Sequence, residues 1–164
     1  MLLSLLVTFV AASLTFTAPA QWKAVTVSSP MRVAQWALPH VAGDAQDGEL
    51  VIYYFGGQGG SLEANVERWI GQMQQPDGRA RAAKRESRTI NGLRVTLVDL
   101  SGTYVAEMSP GSGQRHNSPG FRMRAGYIET PNGPYFIKLV GPARTVAASE
   151  KLFDAFLSTV TFTK

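Results

Sequence analysis

Residues 50–69 read LVIYYFGGQGGSLEANVERW and combine an apolar run, a glycine-rich knot and an amphipathic segment. The run LVIYYF (50–55) is apolar on both faces, which is typical of a strand buried centrally between two layers. Ser61 is a good N-cap, and Glu63 complements the positive end of a helix that starts there. Apolar side chains then recur at helical spacing at Leu62, Val66, Trp69, Ile70 and Met73. We predict a helix from Ser61 to a turn at 75–78, with its apolar face packed on the preceding strand.

The glycine knot GGQGG (56–60) admits three interpretations. A phosphate loop needs a lysine after its last glycine, and none follows here. The first three residues of the knot match the Gly-Gly-Gln of peptide-release factors, but the match ends there. We favour a tight turn, because glycines let the chain leave a strand sharply and bring the helix close to it. Gly57, Gln58 and Gly59 are kept as candidate ligand contacts, because backbone N–H groups ahead of a helix attract anions.

The rest of the chain is dominated by strand and turn patterns. Asn91-Gly92 lies between two β-rich runs and suits the positive φ angles of a type I′ hairpin turn. A final helix is predicted from Val146 to Ser158, capped by Thr145, with a short terminal strand after it. The other predicted segments are strands at 22–27 and 31–38, an acidic loop at 40–49, a polar loop at 107–120 and a hairpin of 121–130 with 135–141. Few helices serve many hairpin-connected strands, which excludes a doubly wound parallel sheet. The predicted fold class is α+β, an antiparallel β-sheet flanked by helices in an α/β/α sandwich.

The first twenty residues, MLLSLLVTFVAASLTFTAPA, carry no charge and end in small residues. This composition predicts that residues 1–20 are a signal peptide or an N-terminal anchor, and that 21–164 form a single domain. The protein would then be exported to the periplasm or the outside of the cell, with membrane contact only through 1–20. There is no cysteine, which excludes disulfides and thiolate sites, so the core alone must hold the fold.

Basic residues are concentrated after the first predicted helix. The net charge is +4, and the segment 79–94 supplies five candidate anion-binding residues: Arg79, Arg81, Lys84, Arg85 and Arg88. Such a run suits a cell-wall polyanion or a membrane surface. It lacks the interleaved aromatic residues of a single-strand binder, so we expect no nucleic-acid partner. The alternative interpretation, which we favour, is a solvated linker.

No set of residues in the sequence forms a coherent catalytic or metal-binding motif. The two histidines, His40 and His116, lie in separate predicted loops, and there is no G-x-S-x-G motif to present a nucleophilic serine. The acidic loop at 40–49 resembles a calcium loop only in its carboxylates, without the EF-hand spacing. We therefore expect no catalytic residues, no metal and no cofactor. The alternative is an enzyme of unfamiliar type, with a cleft between loops 56–60 and 107–120 that contains Gln58, Arg115 and His116.

Several stretches resemble a family of small uncharacterised bacterial exported proteins and lipoproteins. The matching stretches are SSPMRVAQWALP, GDAQDGELVIYYFGGQGGSLEANVERWIGQMQQPDG, NGLRVTLVDLSGTY and GPYFIKLVGPARTV. The element order of 121–163 is also distantly similar to the PsbP-like fold. That fold is shared by the extrinsic subunit of the photosynthetic oxygen-evolving complex and a nuclear-import factor that binds the Ran GTPase. The resemblance implies an antiparallel sheet between helical layers, and a non-catalytic domain that binds another envelope protein or an envelope component.

Overall fold

The computed structural model describes residues 8–11, 14–75, 77 and 83–163. The strands are β1 (Thr8–Ala11), β2 (Leu14–Thr17), β3 (Lys23–Ala24), β4 (Arg32–Leu38), β5 (Gly48–Tyr54), β6 (Met73–Gln74), β7 (Lys84–Ile90), β8 (Leu93–Tyr104), β9 (Ser118–Ile128), β10 (Tyr135–Pro142) and β11 (Thr161–Phe162). The helices are α1 (Leu62–Gly71), α2 (Ala143–Ala148) and α3 (Glu150–Ser158).

The main sheet is antiparallel throughout and follows from the hairpins of the sequence. Its strand order is β3-β4-β5-β10-β9-β8-β6, and β7 pairs with β8 beside β6. Asn91 and Gly92 both have positive φ, so the predicted tight turn between β7 and β8 is confirmed. The second predicted hairpin is confirmed as β9 and β10. A separate three-stranded sheet has the order β1-β2-β11.

Two apolar clusters lie on opposite faces of the main sheet. Alternate side chains of β10 point to opposite faces, and Ile137 belongs to one cluster while Phe136 belongs to the other. On the first face, β2, α2 and α3 cover the sheet, with Phe16 and Phe156 packed against Trp36. On the second face, α1 covers part of the sheet. The α+β class and the helical layers on both sides of an antiparallel sheet are therefore as predicted.

The glycine knot joins β5 closely to α1. The Ser61 hydroxyl accepts a hydrogen bond from the Ala64 N–H at 3.1 Å, which confirms the predicted N-cap. The fully buried Asn65 amide donates to the carbonyl groups of Gly59 and Ser61, at 2.9 and 2.8 Å. Gly59 has a φ of +115°, and a β-carbon there would lie 2.8 Å from the Phe136 ring. Trp69 of α1 is 2% exposed in the second cluster, so the knot serves close packing of helix on sheet.

The ends of both predicted helices differ from expectation. Helix α1 ends at Gly71, and Met73 lies in strand β6, where it pairs with Tyr104 instead of continuing the helix. The C-terminal segment forms two helices rather than one, with Ser149 between them. Thr145 lies inside α2 instead of capping it, and its hydroxyl donates to Asp44 Oδ2 at 2.7 Å. In both places tertiary contacts override a continuous apolar periodicity.

The segment predicted as a basic linker is in part a strand. Residues 84–90 form β7, which pairs along its length with β8. Strand β7 has a neighbouring strand on one side only, and most of its side chains are exposed. The charged composition that is typical of a solvated linker is therefore compatible with a strand at this position. Arg79 and Arg81 lie outside the described residues.

Residues that precede the predicted boundary at 21 pack with residues that follow it. Leu14 and Phe16 of β2 are 0% and 1% exposed and belong to the first apolar cluster. A strand of this composition resembles a leader in sequence, because both are short, uncharged and apolar. Within the part of the chain that the structure describes, no helix is long and apolar enough to cross a membrane. That the N-terminal residues act as a signal peptide or anchor stays a prediction.

Candidate binding groove

An open groove lies on the second face of the sheet, where α1 leaves part of the sheet uncovered. Its floor is formed by strands β4, β5 and β10, and its walls by α1 and the loop 105–117. The groove has a volume of about 970 Å³. An adjoining pocket of about 220 Å³ reaches under Pro110 of the loop to Trp69 and Phe136. The groove therefore exists because one ten-residue helix is too small to cover this face.

Lys138 lies on the floor of the groove. It lies in β10 between the buried residues Ile137 and Leu139, but points to the opposite face from them. Its Nζ donates hydrogen bonds to Gln72 Oε1 at 2.7 Å and to Tyr104 Oη at 2.8 Å. Both partners are neutral. Among the ion pairs of residues 8–11, 14–75, 77 and 83–163, none involves Lys138.

The surroundings of Lys138 oppose its charge. Burial, followed by the positive charge of Arg68, lowers the pKa of Lys138 to about 7, which Glu49 only partly offsets. Burial also raises the pKa of Tyr104 and of Tyr53 above the usual value for a phenol. Close to neutral pH, the groove thus presents an amine that gains or loses a proton readily beside two hydroxyl groups that stay protonated.

Aromatic rings frame the groove. Tyr53 and Phe55 stack at 6.0 Å between ring centroids, and the Arg32 guanidinium lies 5.7 Å from the Tyr53 ring. Across the groove, the His116 ring lies 4.9 Å from the ring of Tyr104. Such rings offer flat apolar surface and leave their polar edges available to a ligand.

The groove carries more positive than negative charge. Its lining contains the basic residues Arg32, Arg68, Arg115 and Lys138 and the acidic residues Glu49 and Glu107. Arg32 lies 3.9 Å from a Glu49 oxygen, and Glu107 accepts a hydrogen bond from the Gly111 N–H. Arg68 instead donates to the neutral Asn65 Oδ1 at 2.6 Å. The positive charges are therefore only partly compensated within the described residues.

Two exposed methionines stand at the rims. Met31, ahead of β4, is 52% exposed, and Met108 in the loop 105–117 is 54% exposed. Both line the groove, and they are two of the three large apolar side chains that are strongly exposed in the described part of the chain. Flexible apolar side chains in such positions are common where a protein binds another polypeptide.

The groove contains part of the predicted cleft. Arg115 and His116 line it, and the loop that carries them is tied back by a 2.9 Å hydrogen bond from the His116 N–H to the Ala106 carbonyl. Gly57, Gln58 and Gly59 do not line it. Gly57 lies instead against Asn132 and Gly133 of the β9–β10 turn, and a β-carbon at Gly59 would meet the rings of Phe136 and Phe55. Arg115 and His116 thus line the same groove as Lys138, whereas Gly57, Gln58 and Gly59 do not. A binding role for any of these residues stays a prediction.

The basic segment is partly occupied by internal ion pairs. Arg85 donates to both carboxylate oxygens of Glu63, at 2.7 and 3.1 Å. Arg88 pairs with Glu86 at 2.7 Å and with Asp154 at 3.0 Å. Lys84 is exposed on the same strand. These pairs reduce the charge that the segment offers to an anion.

The acidic loop does not gather its carboxylates into one site. Asp44 accepts hydrogen bonds from the Thr145 hydroxyl and from Arg144, which keep the pKa of Asp44 below its usual value. Asp47 accepts from the backbone N–H of His40 and contacts its ring. Among the described residues, no group of three or more potential ligands is arranged to hold a metal ion.

Sequence reasoning missed Lys138, Gln72 and Tyr104. A signal for the first was present, because a lysine inside the apolar run YFIKLVG (135–141) of a central strand needs an explanation. The other two approach it only through the pairing of β6 and β8 and the end of α1, which local patterns do not encode.

Comparison with known proteins identifies the class of fold. No protein-family model and no curated protein matches the chain. The chain is similar to the solution structure of cyanobacterial PsbP (CyanoP) from Synechocystis sp. PCC 6803, with a TM-score of 0.57 and 12% identity over 98% of this chain and 94% of that chain. The protein therefore has a PsbP-like α+β fold, as the element order of the sequence predicted.

A second similar structure is that of PA94, a protein of unknown function from Pseudomonas aeruginosa. Its TM-score is 0.51 and its identity 16%, over 95% of this chain and 96% of that chain. Identities this low show the fold alone.

Proposed function

We propose that the protein is a non-catalytic exported domain that binds a segment of another cell-envelope protein in the groove. The observation that carries the proposal is the combination of only partly compensated basic groups in the groove with exposed methionines at the rims. A groove that offers both apolar surface and positive charge is complementary to a segment that carries both apolar and acidic side chains. The open, elongated groove suits such a segment.

The proposal is tested with variants that alter the groove without touching the core. Met31→Glu and Met108→Glu place negative charge at both rims, where it repels an acidic partner. The control is Ala155→Glu, which makes the same kind of change at an exposed position of α3, on the opposite face of the sheet. A partner is first isolated from the native envelope with the wild-type domain, and its affinity is then measured with purified proteins.

The expected result is a loss of at least about tenfold in affinity for the double rim variant, with the Ala155→Glu variant equal to wild type. Equal affinity of the rim variant and wild type would show that the partner binds elsewhere, and would contradict the proposal.

A second candidate function is catalysis at Lys138. The observation that favours it is the pKa of about 7, which suits a general base or a nucleophilic amine, next to the Tyr104 hydroxyl at 2.8 Å. Turnover of a generic ester, glycoside or phosphate substrate that is lost in Lys138→Met would establish it. Absence of turnover together with binding of an envelope partner in the groove favours the first proposal.

A third candidate is polyanion binding through 79–94. Such binding weakens steeply with salt, because it depends on exposed charges. Its test is the retention of the protein on immobilised cell-wall polyanion at low and high salt. Arg85→Gln and Arg88→Gln are the variants of choice, because these side chains lie on β7, away from the groove.

A further inference from the structure

We infer that the base of the groove is a carboxylate-binding site, and that Lys138 receives the carboxylate of an acid with an apolar stem. The inference rests on the proposed function, because it names the chemical group by which the partner is recognised. It differs from the candidate sites of the sequence, which lie on the glycine knot, the polar loop and the basic segment.

The hydrogen bonds of Lys138 leave room for one more acceptor. An ammonium group has three N–H donors, and the described neighbours take two, Gln72 Oε1 and Tyr104 Oη. The third donor has no acceptor among the hydrogen bonds of the described residues. Arg68, in the wall of the groove, donates a hydrogen bond from Nη2 to Asn65 Oδ1, and its guanidinium group has further N–H donors that a ligand can accept from. One ammonium and one guanidinium group therefore flank the same small pocket.

The shape of that pocket selects the rest of the ligand. Besides Lys138 and Arg68, its walls are mainly aromatic: Tyr53, Phe55, Trp69 and Phe136. Its volume of about 220 Å³ accommodates one aromatic or branched apolar group. A free phosphate would leave these walls uncovered, whereas an arylalkyl carboxylate or an acidic residue beside an aromatic one would cover them.

Ligand binding is coupled to the protonation of Lys138. Near pH 7 part of the free protein carries a neutral amine, because burial and the positive charge of Arg68 lower the pKa of Lys138 and Glu49 offsets them only in part. A bound carboxylate supplies that countercharge, so binding takes up a proton and weakens as the pH rises above 7. The ionisable groups that face this site are Tyr53 and Glu49 of β5, Arg32 of β4, Arg68 of α1, Tyr104 of β8, and Glu107, Arg115 and His116 of the loop.

The test uses 3-phenylpropionate and its neutral analogue 3-phenylpropionamide as probes. Binding to the whole protein is followed by chemical-shift changes in NMR spectra, for wild type, Lys138→Met and the control Lys151→Met on the opposite face. We expect saturable binding of the acid to wild type and Lys151→Met, and at least tenfold weaker binding both of the amide to wild type and of the acid to Lys138→Met.

A second readout uses wild type alone and so does not depend on the folding of a variant. The Lys138 side-chain resonance is titrated with and without 3-phenylpropionate, and its pKa is expected to rise when the acid is present. Equal affinity for acid and amide, or an unchanged pKa of Lys138 with the acid bound, would overturn the inference.

The two proposals fail in different ways. If an envelope partner loses affinity through the rim variants but binds Lys138→Met as tightly as wild type, the groove is the binding site and the carboxylate inference is wrong. If the acid binds through Lys138 but the partner binds the rim variant as tightly as wild type, the carboxylate site stands and the proposed partner site is wrong.

Discussion

The two faces of the sheet hold their buried cations in different ways. On the face covered by α3, Arg124 is 8% exposed, lies 4.8 Å from the Phe153 ring and faces the carboxylates of Asp99 and Asp154 at 3.6 and 3.8 Å. On the groove face, Lys138 has two neutral partners and no ion pair in the described part of the chain. A buried charge is tolerated when it is paired. Arg124 thus belongs to the framework, whereas Lys138 is left for a ligand.

The largest loss of stability is expected on the face where the buried cation is paired. Asp99 holds Arg122 through two hydrogen bonds, at 2.9 and 2.6 Å, and faces Arg124. Asp99→Ala leaves both guanidinium groups undercompensated, and we expect it to lower the free energy of unfolding by about 3 kcal/mol in urea denaturation. The matched control is Glu129→Ala, which removes an exposed pair with Arg94 and should cost less than about 0.5 kcal/mol. Equal effects of the two changes would contradict the framework role.

The next effect is a pH dependence of the free energy of unfolding, which arises from the unpaired Lys138. Because folding lowers the pKa of Lys138 to about 7, the unfolded chain holds a proton that the folded chain has lost at any pH between about 7 and the ordinary lysine value. Stability contributed by this group therefore rises with pH, and wild type should gain about 2 to 3 kcal/mol relative to Lys138→Met between pH 7 and about 9.5. The measurement is urea denaturation at several pH values. Lys151→Met should keep the wild-type rise, and a rise that persists in Lys138→Met would refute the assignment.

A smaller effect concerns the helix that leaves the groove open. Ser61→Ala removes the hydroxyl that accepts from the Ala64 N–H, and should lower the free energy of unfolding by about 1 kcal/mol. Thermal denaturation checks it against Ser61→Asp, which preserves a capping oxygen and should remain near wild type. Loss of stability in both variants would point to a role of Ser61 other than capping.

The smallest effect on stability is expected at the rim. Met108→Glu changes a side chain that is 54% exposed, so the free energy of unfolding should change by less than about 0.5 kcal/mol. The same change should weaken binding of the envelope partner. A destabilisation above about 1 kcal/mol would mean that Met108 supports the loop, and the loss of binding could then no longer be assigned to the groove surface.

Much of the fold could be predicted because its signals are local. Asn91-Gly92 indicates a hairpin by its backbone preferences, and Ser61 indicates a helix start by its hydroxyl. The errors concern features that depend on distant partners. The charged segment of β7 forms a strand because it pairs with β8 along one edge. Met73 continues the helical pattern in the sequence, but in the structure it pairs with Tyr104 in β6 and β8. The strand Leu14–Thr17 has the composition of a leader, and only its contacts with Trp36 and Phe156 reveal a core element.

The groove could be predicted only in part for the same reason. Arg115 and His116 stand out in the sequence as polar residues of a long loop, and they do line the groove. Lys138 stands out as a charged residue in an apolar strand, but its pKa and its hydrogen bonds depend on which groups surround it. Those groups come from α1, β6 and β8, separated by up to 66 residues along the chain, and no local pattern brings them together.

The most direct test of the central claim, that the incompletely covered face is the binding face, is amide hydrogen exchange with and without the isolated envelope partner. If a partner binds in the groove, we expect new protection in the loop 105–117, at the end of α1 and along β4, with no change in α3 or β7. Protection confined to α3 or to β7, with the groove exchanging as in the free protein, would contradict it.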